Sequence, residues 1–571
     1  MAGHDVLTRA PAADASRKAP WQSKVRGWWP VAVAIVPLLF LAVFFVLPVS
    51  GMVARGLHPG SHWAFGEALQ VFGRSRQRKV ILFTLGIAAT GTVVTTLLGL
   101  PVAYALYRLR IPGAGVLRAI VATPFALPTV VVGVAFRTLL TSSGPLGFLG
   151  LDGSWIAIAL ALVFFNLSVV VRTVGSAWAG LDTRPQEAAA ALGASPAQVF
   201  RTVTLPALAP TILSAVTIVF LFCSTAFGVV LTLGGLKYST IETEIYLQTT
   251  DILDLQTAAV LSIAQFVVVI LLLVVVERAR AGVRPTSSRA GVSTRRRPTR
   301  QDLPVLTATA AVVLFLVLPL ASLVFRSLQA DGGWSLTNYR RLATDGDGGA
   351  LLVPVVDAIK SSWSIAIDAT LLSVTLGLAV AVVVSHRSGG QAAGKRRRRI
   401  AVLDALFMLP LGISAVTVGF GFLVTLNRPP LDVRDSQILI PIAQALVALP
   451  LVVRTVAPAL AAVDDRQRQA AASLGAGRLN VIRTVDLPII WRPLLAATGF
   501  AFAVSLGEFG ATSFLARPAH PTLPVVIYQL IGHPGGHNFG MALAASVLLA
   551  GMTAAVMAGV EGLRVGSVGR F

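Results

Sequence analysis

EAAAALG at residues 187–193 and QAAASLG at residues 469–475 are two copies of one segment. The first copy runs on to RTVTLP at 201–206 and the second to RTVDLP at 483–488, so every matched position is offset by 282 residues (469 minus 187). A polar loop between apolar runs is a poor membrane anchor and a good docking surface. Its duplication predicts a membrane protein of two repeats, to which a partner that drives its activity docks at two equivalent places.

Composition sets the class of protein. The chain has 571 residues, of which 55% are hydrophobic and 13% charged, whereas soluble domains carry roughly 25% charged residues. We therefore expect an all-α polytopic membrane protein, because a lipid-exposed backbone must satisfy its own hydrogen bonds. The formal net charge of +22 comes from basic residues beside apolar runs, which indicates the positive-inside pattern and argues against nucleic acid. The single cysteine, Cys223, excludes an intrachain disulfide and a thiolate metal cluster.

Apolar runs predict about twelve spans, six in each half. The first, at 30–50, has no convincing cleavage site and is expected to remain as a span. The runs lie near 30–50, 80–107, 117–139, 154–179, 208–232 and 255–277, and then near 303–325, 361–385, 400–426, 437–460, 491–516 and 539–562.

Basic residues predict the orientation. Clusters before residue 27, at 108–118, at 278–300 and at 386–399 fall on one side of the membrane if both termini are cytoplasmic. One cluster disagrees, since Arg74, Arg76, Arg78 and Lys79 precede the second span on the expected outer side. An amphipathic surface segment is the only interpretation that the sequence offers for it.

The repeat extends beyond the loops. Phe227-Gly228 matches Phe509-Gly510 and Ile245-Tyr246 matches Ile527-Tyr528, again with the offset of 282. Six spans per copy is an even number, so the copies should be parallel, related by an axis along the membrane normal. The expected division is a cytoplasmic tail at 1–29, a first six-span repeat at 30–277, an Arg-rich cytoplasmic linker at 278–302, a second six-span repeat at 303–562 and a tail at 563–571.

Each repeated loop is expected to form two short helices joined at a glycine. Glu187 belongs in a first turn and four alanines follow it. Gly193 then interrupts, Ser195 can cap a second helix, and that helix should stop before Leu205-Pro206.

This pattern resembles the EAA loop of the membrane subunits of bacterial ABC importers, and the resemblance covers nearly the whole chain. In that family the loop is a coupling helix that sits in a cleft of the ATPase subunit. The fused pair of repeats resembles the ferric-iron and thiamine importer permeases. The coupling residues implied are Glu187, Ala188, Ala189, Gly193, Leu205 and Pro206, and Gln469, Ala470, Ala471, Gly475, Leu487 and Pro488. Gln469 departs from the family's glutamate, so the two docking sites are expected to be unequal.

The resemblance also implies the partners and the location. The chain has no phosphate-binding loop, because Gly394-Lys395 is followed by Arg396 and lacks the preceding glycine spacing. ATP and Mg²⁺ should therefore be bound by a separate ATPase, expected as a homodimer, and an extracytoplasmic solute-binding protein should deliver the cargo. The chain itself needs no cofactor or metal, catalyses no covalent chemistry, and belongs in the bacterial plasma membrane.

Polar residues inside spans are candidates for the transport path. Glu508 leads, followed by Asp368 and Asn166, with Gln265 and Gln444 behind them. His520, His533 and His537 lie in an outer loop whose spacing fits a turn or a docking surface better than a metal site.

Two other classes stay open. A secondary transporter with two parallel halves would use Glu508 or Asp368 as a proton carrier, and a membrane-embedded enzyme would need a catalytic constellation that the spans lack. For an importer, ferric iron and thiamine are level as cargo, with iron slightly ahead because of the outer-loop resemblance. Phosphonates, sulfate and molybdate follow.

Overall fold

The structure, a computed structural model, consists almost entirely of helices. It describes residues 33–58, 62–235, 237–281, 295–330, 332–385, 406–407, 410, 413–426, 432–433 and 436–565. The expected tail at 1–29, the basic run at 386–399 and the Gly394-Lys395 pair lie outside the described residues, as do most of the linker and of the C-terminal tail.

The first half is built from long apolar helices with short helices between them. The chain is helical from Val33, with a π-helical turn at Ala42–Val46. The helices are α1 (Leu47–Leu57), α2 (Phe65–Gly73), α3 (Ser75–Arg108), α4 (Ala114–Ala126), α5 (Thr129–Leu140), α6 (Trp155–Ala179), α7 (Arg184–Ala191), α8 (Pro196–Val199), α9 (Leu205–Ser224), α10 (Gly228–Gly234), α11 (Ile241–Thr250) and α12 (Leu255–Ala281).

The second half follows the same order. A small hairpin of β1 (Gln329–Ala330) and β2 (Gly333–Trp334), antiparallel, follows its first helix. The helices are α13 (Leu303–Ser327), α14 (Thr337–Arg340), α15 (Val355–Ser385), α16 (Ala415–Thr425), α17 (Leu439–Ala461), α18 (Asp465–Ser473), α19 (Arg478–Val481), α20 (Leu487–Leu506), α21 (Thr512–Leu515), α22 (Leu523–Gly532) and α23 (Gly536–Val565).

The all-α, polytopic class is confirmed, but the count of twelve spans is not. Among the described residues, ten helices are long and apolar enough to cross a membrane, or eleven if a bent pair is one span. That pair is α4 and α5, which meet at 106° where Leu127-Pro128 interrupts the predicted run 117–139, because proline has no N–H for a helical hydrogen bond. The run 400–426 is described only in part and contributes the eleven-residue α16.

Equivalent contacts recur in the two halves. The Ile241 N–H donates to Thr84 Oγ1 at 2.9 Å, and the Leu523 N–H donates to Ser362 Oγ at 2.7 Å. Likewise, α3 packs on α6 and α15 packs on α17. The same kind of side-chain-to-backbone bond therefore fixes the short helix α11 to α3 and the short helix α22 to α15.

The two ends of the molecule are defined by these elements. We call the end that carries the repeated loops the loop end, and the opposite end the far end. From the first loop, α9 rises over 20 residues to Ser224, about 30 Å at 1.5 Å per residue, so residues 225–254 lie toward the far end.

The basic cluster that disagreed with the orientation is explained by ion pairs. Arg76 binds the fully buried Glu244 carboxylate with two hydrogen bonds, of 2.7 and 3.0 Å. Arg74 lies 3.4 Å from Asp254. Burial raises the pKa of Asp254, but hydrogen bonds from Thr257 and from Arg74 outweigh it and hold this pKa below its usual range. Arg74 and Arg76 therefore neutralise carboxylates at the far end.

Candidate coupling loops and transport path

The first repeated loop has the predicted two-helix form. The last turn of α7 is closed by a Schellman motif, in which the Gly193 N–H donates to the Ala190 carbonyl and the Ala194 N–H to the Ala189 carbonyl. Gly193 has φ of +85°, which a residue with a Cβ adopts only at a cost. Ser195 caps α8, and the side chain of Gln198 completes a capping box.

The second repeated loop closes in the same way. The Gly475 N–H donates to the Ala472 carbonyl, the Ala476 N–H donates to the Ala471 carbonyl, and Gly475 has φ of +86°. The two backbones therefore turn at equivalent residues with the same hydrogen bonds. This equivalence is a property of the backbone and does not depend on which side chains surround it.

The predicted stop before Leu205-Pro206 is wrong. The helix continues from Pro196 to Ser224 as one 29-residue element, because a π-helical turn at Phe200–Thr204 precedes the proline. A matching π-helical turn at Ile482–Asp486 precedes Leu487-Pro488. In each copy the wider turn admits a proline that would otherwise break the helix.

Both loops expose the residues expected to couple. Glu187, Gln469, Gly193 and Gly475 are exposed, and α7 and α18 bury none of their side chains. The remaining expected coupling residues are exposed or half-buried: Ala188, Ala189, Leu205, Pro206, Ala470, Ala471, Leu487 and Pro488.

One equivalent pair of leucines was missed by the sequence analysis. Leu192 and Leu474 are each 89% exposed, the highest value among the exposed large apolar side chains. They directly precede the two glycines, so the turn presents a leucine in each copy. Identical spacing to the glycine was the sequence signal for them.

The first loop is supported by aromatic rings. Trp178, at the end of α6, stacks on Phe200 with ring centroids 6.2 Å apart, and Tyr104 packs against Trp178 at 5.2 Å. Arg108, at the end of α3, interacts electrostatically with Glu187. Rings and one basic residue therefore hold the first loop to the end of the helix bundle.

The second loop is supported by ion pairs between its own side chains. The Arg468 side chain donates to Asp486 at 2.8 Å, to Asp465 at 2.8 Å and to the Leu460 carbonyl at 3.1 Å. Burial lowers the pKa of Arg468, but the hydrogen bonds to Asp486 and Asp465 outweigh it and the pKa is raised. The equivalent positions in the first loop are Gln186 and Thr204, which cannot form this pair.

The end of the linker lies at the same end of the molecule. The backbone of Arg296 pairs with the strand-like end of α3, accepting from the Arg110 N–H at 2.8 Å and donating to the Arg108 carbonyl at 3.1 Å. Its side chain binds Asp302 and donates to Tyr104 Oη at 2.6 Å. The start of the second half is thereby attached beside the first loop.

The structure separates the three residues expected in the path. Glu508 is buried in the break between α20 and α21, where its carboxylate accepts from the Ala511 N–H at 2.7 Å and the Thr512 N–H at 3.0 Å. Asn166 is buried inside the first half and donates to the Leu162 carbonyl and to Cys223 Sγ. Asp368 lies on an exposed face of α15 beside Ile367 and Leu371. The three residues do not form one site.

The other polar candidates, Gln444 and Gln265, also lie at separate places. Gln444 donates to Thr512 at 3.4 Å and thereby joins the Glu508 network, whereas Gln265 donates to the Ser224 carbonyl at 3.3 Å. His533 bonds to the Gln529 carbonyl, as a turn would require. Among the described residues, no group of His, Cys, Asp or Glu could hold a metal ion.

Four rings meet between the halves. Phe227 and Phe509 stack on each other, with centroids 5.3 Å apart and planes at 26°. Tyr246 packs on Phe227 at 5.5 Å and Tyr528 packs on Phe509 at 5.6 Å. We call these four residues the aromatic quartet. Because 227 and 509 are equivalent positions, and so are 246 and 528, each half supplies the same two rings.

Glu242 is a second buried carboxylate that the sequence analysis missed, because it lies in a short polar stretch outside the predicted spans. It is on α11, one helical turn before Tyr246, and is 0% exposed. Its Oε2 accepts from Ser414 Oγ of the other half at 2.8 Å, and the side chain of Gln265 also interacts with this carboxylate.

Known proteins match the chain along most of its length. Residues 95–285 match the family described as the binding-protein-dependent transport system inner membrane component. The thiamine transport system permease protein ThiP of Brucella abortus is 28% identical over 477 residues, which cover 80% of this chain and 82% of that protein. ThiP of Escherichia coli is 26% identical over 513 residues, covering 88% and 89%.

Two further proteins are similar at greater distance. The probable ABC transporter permease protein y4fN of Sinorhizobium fredii is 25% identical and covers 85% of this chain and 87% of its own length. A solved bacterial ABC transporter involved in import of the acidic polysaccharide alginate is 18% identical, covers 46% of this chain and 99% of its own, and has a TM-score of 0.40.

The all-helical, multi-pass architecture with two exposed loops of one design agrees with that of a membrane transport subunit. Residues 95–285 match the family of binding-protein-dependent inner-membrane components, and the chain is similar to ABC importer permeases along most of its length. Proteins of that class work with an ATPase and with a solute-binding protein, and they form the membrane-spanning component of the transport system. The expectation of an importer permease is thus confirmed.

Proposed function

We propose that this chain is the permease of a thiamine importer. The observation that carries the proposal is the similarity to ThiP proteins over four-fifths or more of both chains. Thiamine therefore takes precedence over ferric iron, which was slightly ahead on the outer-loop resemblance alone.

The two repeated loops would transmit the work of the ATPase. Each presents an exposed short helix, an exposed leucine and a glycine turn fixed by two backbone hydrogen bonds. An equal geometry at two places suits a partner with two equal clefts, as a homodimer of ATPase subunits would offer. ATP and Mg²⁺ would be bound there, and both termini of this chain would lie on the same, cytoplasmic side as the loops.

Coupling requires that ATP binding to the ATPase and docking of the loaded binding protein act on the same equilibrium, which is the one between the closed and the open far end. ATP binding would draw the loops together and open the far end, where a loaded binding protein would release its cargo; hydrolysis would reset the path. Both the ATPase and the binding protein must favour one state over the other by their differential affinity.

Uptake measurements test the proposal. Cells with and without this chain receive labelled thiamine or labelled ferric iron, either after ATP depletion or after collapse of the proton gradient. We expect chain-dependent thiamine uptake that ATP depletion abolishes. Iron uptake in its place would contradict the cargo, and uptake that survives ATP depletion but collapses with the proton gradient would favour the secondary transporter.

A further inference from the structure

Two carboxylates differ between the halves although the rings between them do not. The aromatic quartet uses equivalent positions, but Glu508 is equivalent to Ala226 and Glu242 is equivalent to Pro524. Each half thus contributes one acidic residue that its counterpart lacks. A symmetric set of rings is therefore accompanied by an asymmetric pair of carboxylic acids.

Both carboxylates lie near the first turn of α16. Ser414, which caps this helix, donates to Glu242. A Cβ placed on Gly510 would lie 3.2 Å from the Val416 nitrogen and 3.3 Å from Glu508 Oε1. Glu242 and Glu508 therefore both lie near the start of this one helix.

Each carboxylate is also adjacent to the aromatic quartet. Glu508 directly precedes Phe509, and Glu242 and Tyr246 occupy the same face of α11 at a spacing of four residues. The rings are packed, since Phe227 is 6% and Phe509 2% exposed. Both rings are therefore buried where the two halves meet.

Both carboxylates are buried. In the part of the chain that the structure describes, neither Glu242 nor Glu508 forms an ion pair, whereas the nearby carboxylate of Glu244 is paired with Arg76. A buried carboxylate without a cation is costly to ionise, and a cation placed beside it would lower that cost. The faces of aromatic rings attract cations as well.

We propose that the aromatic quartet, Glu242 and Glu508 form a selectivity site for an aromatic cation that passes through the permease. The inference rests on the proposed function, because thiamine has two aromatic rings, one of them a permanently charged thiazolium. Its rings would stack between Phe227 and Phe509 as these separate, and its charge would lie close to the two carboxylates.

The test uses the complete transporter in proteoliposomes, with the ATPase and the binding protein, and labelled thiamine at limiting concentration. Phe227→Leu and Phe509→Leu remove a ring face but keep apolar bulk, and Glu242→Gln and Glu508→Gln remove a charge but keep the side-chain shape. Phe148→Leu, which removes an exposed ring outside the site, and Glu67→Gln, which changes an exposed carboxylate on α2, are the matched controls.

We expect each Leu and Gln variant to lose about tenfold of the initial uptake rate, with both controls within about twofold of the unchanged chain. A second readout, ATP hydrolysis stimulated by the loaded binding protein, should stay within about twofold in all variants, because coupling does not need the site.

Three results would overturn the inference. Unchanged uptake in the Leu and Gln variants would remove the site while the proposed function stands. Parallel loss of uptake and of stimulated ATP hydrolysis in Glu242→Gln and in both Leu variants would reduce these residues to a structural role. Absence of thiamine uptake by the unchanged transporter would contradict the proposed function and the site with it.

Discussion

The two repeated loops share one exposed turn but differ in the residues that support it. Both expose a leucine at 89% and turn at a glycine with φ near +85°. Behind the first, Trp178 stacks on Phe200; behind the second, Arg468 binds Asp486. The equivalents of Trp178 and Phe200 are Leu460 and Ile482. Two unrelated supports thus hold one exposed turn. We infer that this turn is the surface proposed to couple to the ATPase, and we predict that one support can replace the other.

The largest effect is expected at the glycines. Gly193→Val or Gly475→Val forces a β-branched residue into the left-handed region, at a cost of about 1–2 kcal/mol or a rearranged turn. The fold should survive, because nothing lies within 4 Å of either added Cβ, while ATP-driven uptake should fall at least about tenfold. Uptake assays, with protein amounts measured alongside, check this.

Gly477→Val is the control in the second loop, since this exposed glycine lacks the positive φ and an added Cβ would have equal space. Transport that stays unchanged in Gly475→Val would remove the docking role of the loops.

The exposed leucines should come next. Leu192→Ala and Leu474→Ala remove apolar contact with the ATPase, and a well-packed leucine at an interface is worth about 1–3 kcal/mol. Binding of the ATPase to the detergent-solubilised chain should therefore weaken about tenfold for each variant, with the melting temperature unchanged. Leu352→Ala, 77% exposed but outside both loops, should bind normally; equal weakening there would count against the leucines as contacts.

The ionic support should matter less for transport and more for stability. Arg468→Gln leaves Asp486 without its partner, and loss of a charge-assisted hydrogen bond costs about 1–3 kcal/mol. We expect a lower melting temperature and transport reduced less than about threefold. The converse change, Gln186→Arg with Thr204→Asp, should build the ionic support into the first loop. Failure of that double variant to transport would show that the supports are not interchangeable.

The smallest effect is expected at Phe200. Phe200→Ile installs the residue of the second loop at the edge of the first, and the stacked pair contributes about 0.5–1.5 kcal/mol beyond its buried area. Phe200 is already 39% exposed, so a melting temperature lowered by a few degrees and near-normal uptake are expected. Thermal unfolding of the unchanged chain and of Phe200→Ile in the same detergent measures the shift in melting temperature. A loss of uptake as large as in Gly193→Val would contradict the claim that the aromatic support can be replaced.

Sequence patterns predicted what depends on local chemistry. Hydropathy gave the all-helical class, and the spacing around Gly193 and Gly475 gave the two-helix loops, because a glycine after an alanine run favours a left-handed turn. The stop before Pro206 was wrong, since a π-helical turn upstream of a proline leaves no signature in residue type. The bend between α4 and α5 was missed although its proline is visible in the sequence, because Leu127-Pro128 lies inside an unbroken apolar run.

Contacts between distant residues could not be predicted. Arg74 and Arg76 looked misplaced because Asp254 and Glu244, their partners, lie about 170 to 180 residues away. Asn166 and Asp368 were chosen for polarity within a span, but polarity does not say which face of a helix is turned inward. Glu242 was overlooked because its short helix is not a span, although it lies against the other half through Ser414.

Cysteine cross-linking to the ATPase tests the central claim most directly. In a Cys223→Ser background, Leu192→Cys and Leu474→Cys are each joined to the co-purified ATPase by a short bifunctional reagent, with Leu352→Cys as the control. Each loop should link one ATPase subunit and the chain with both substitutions should link two, the control none. Linkage through neither loop, or equal linkage at Leu352→Cys, would contradict the claim that these loops are the two docking sites.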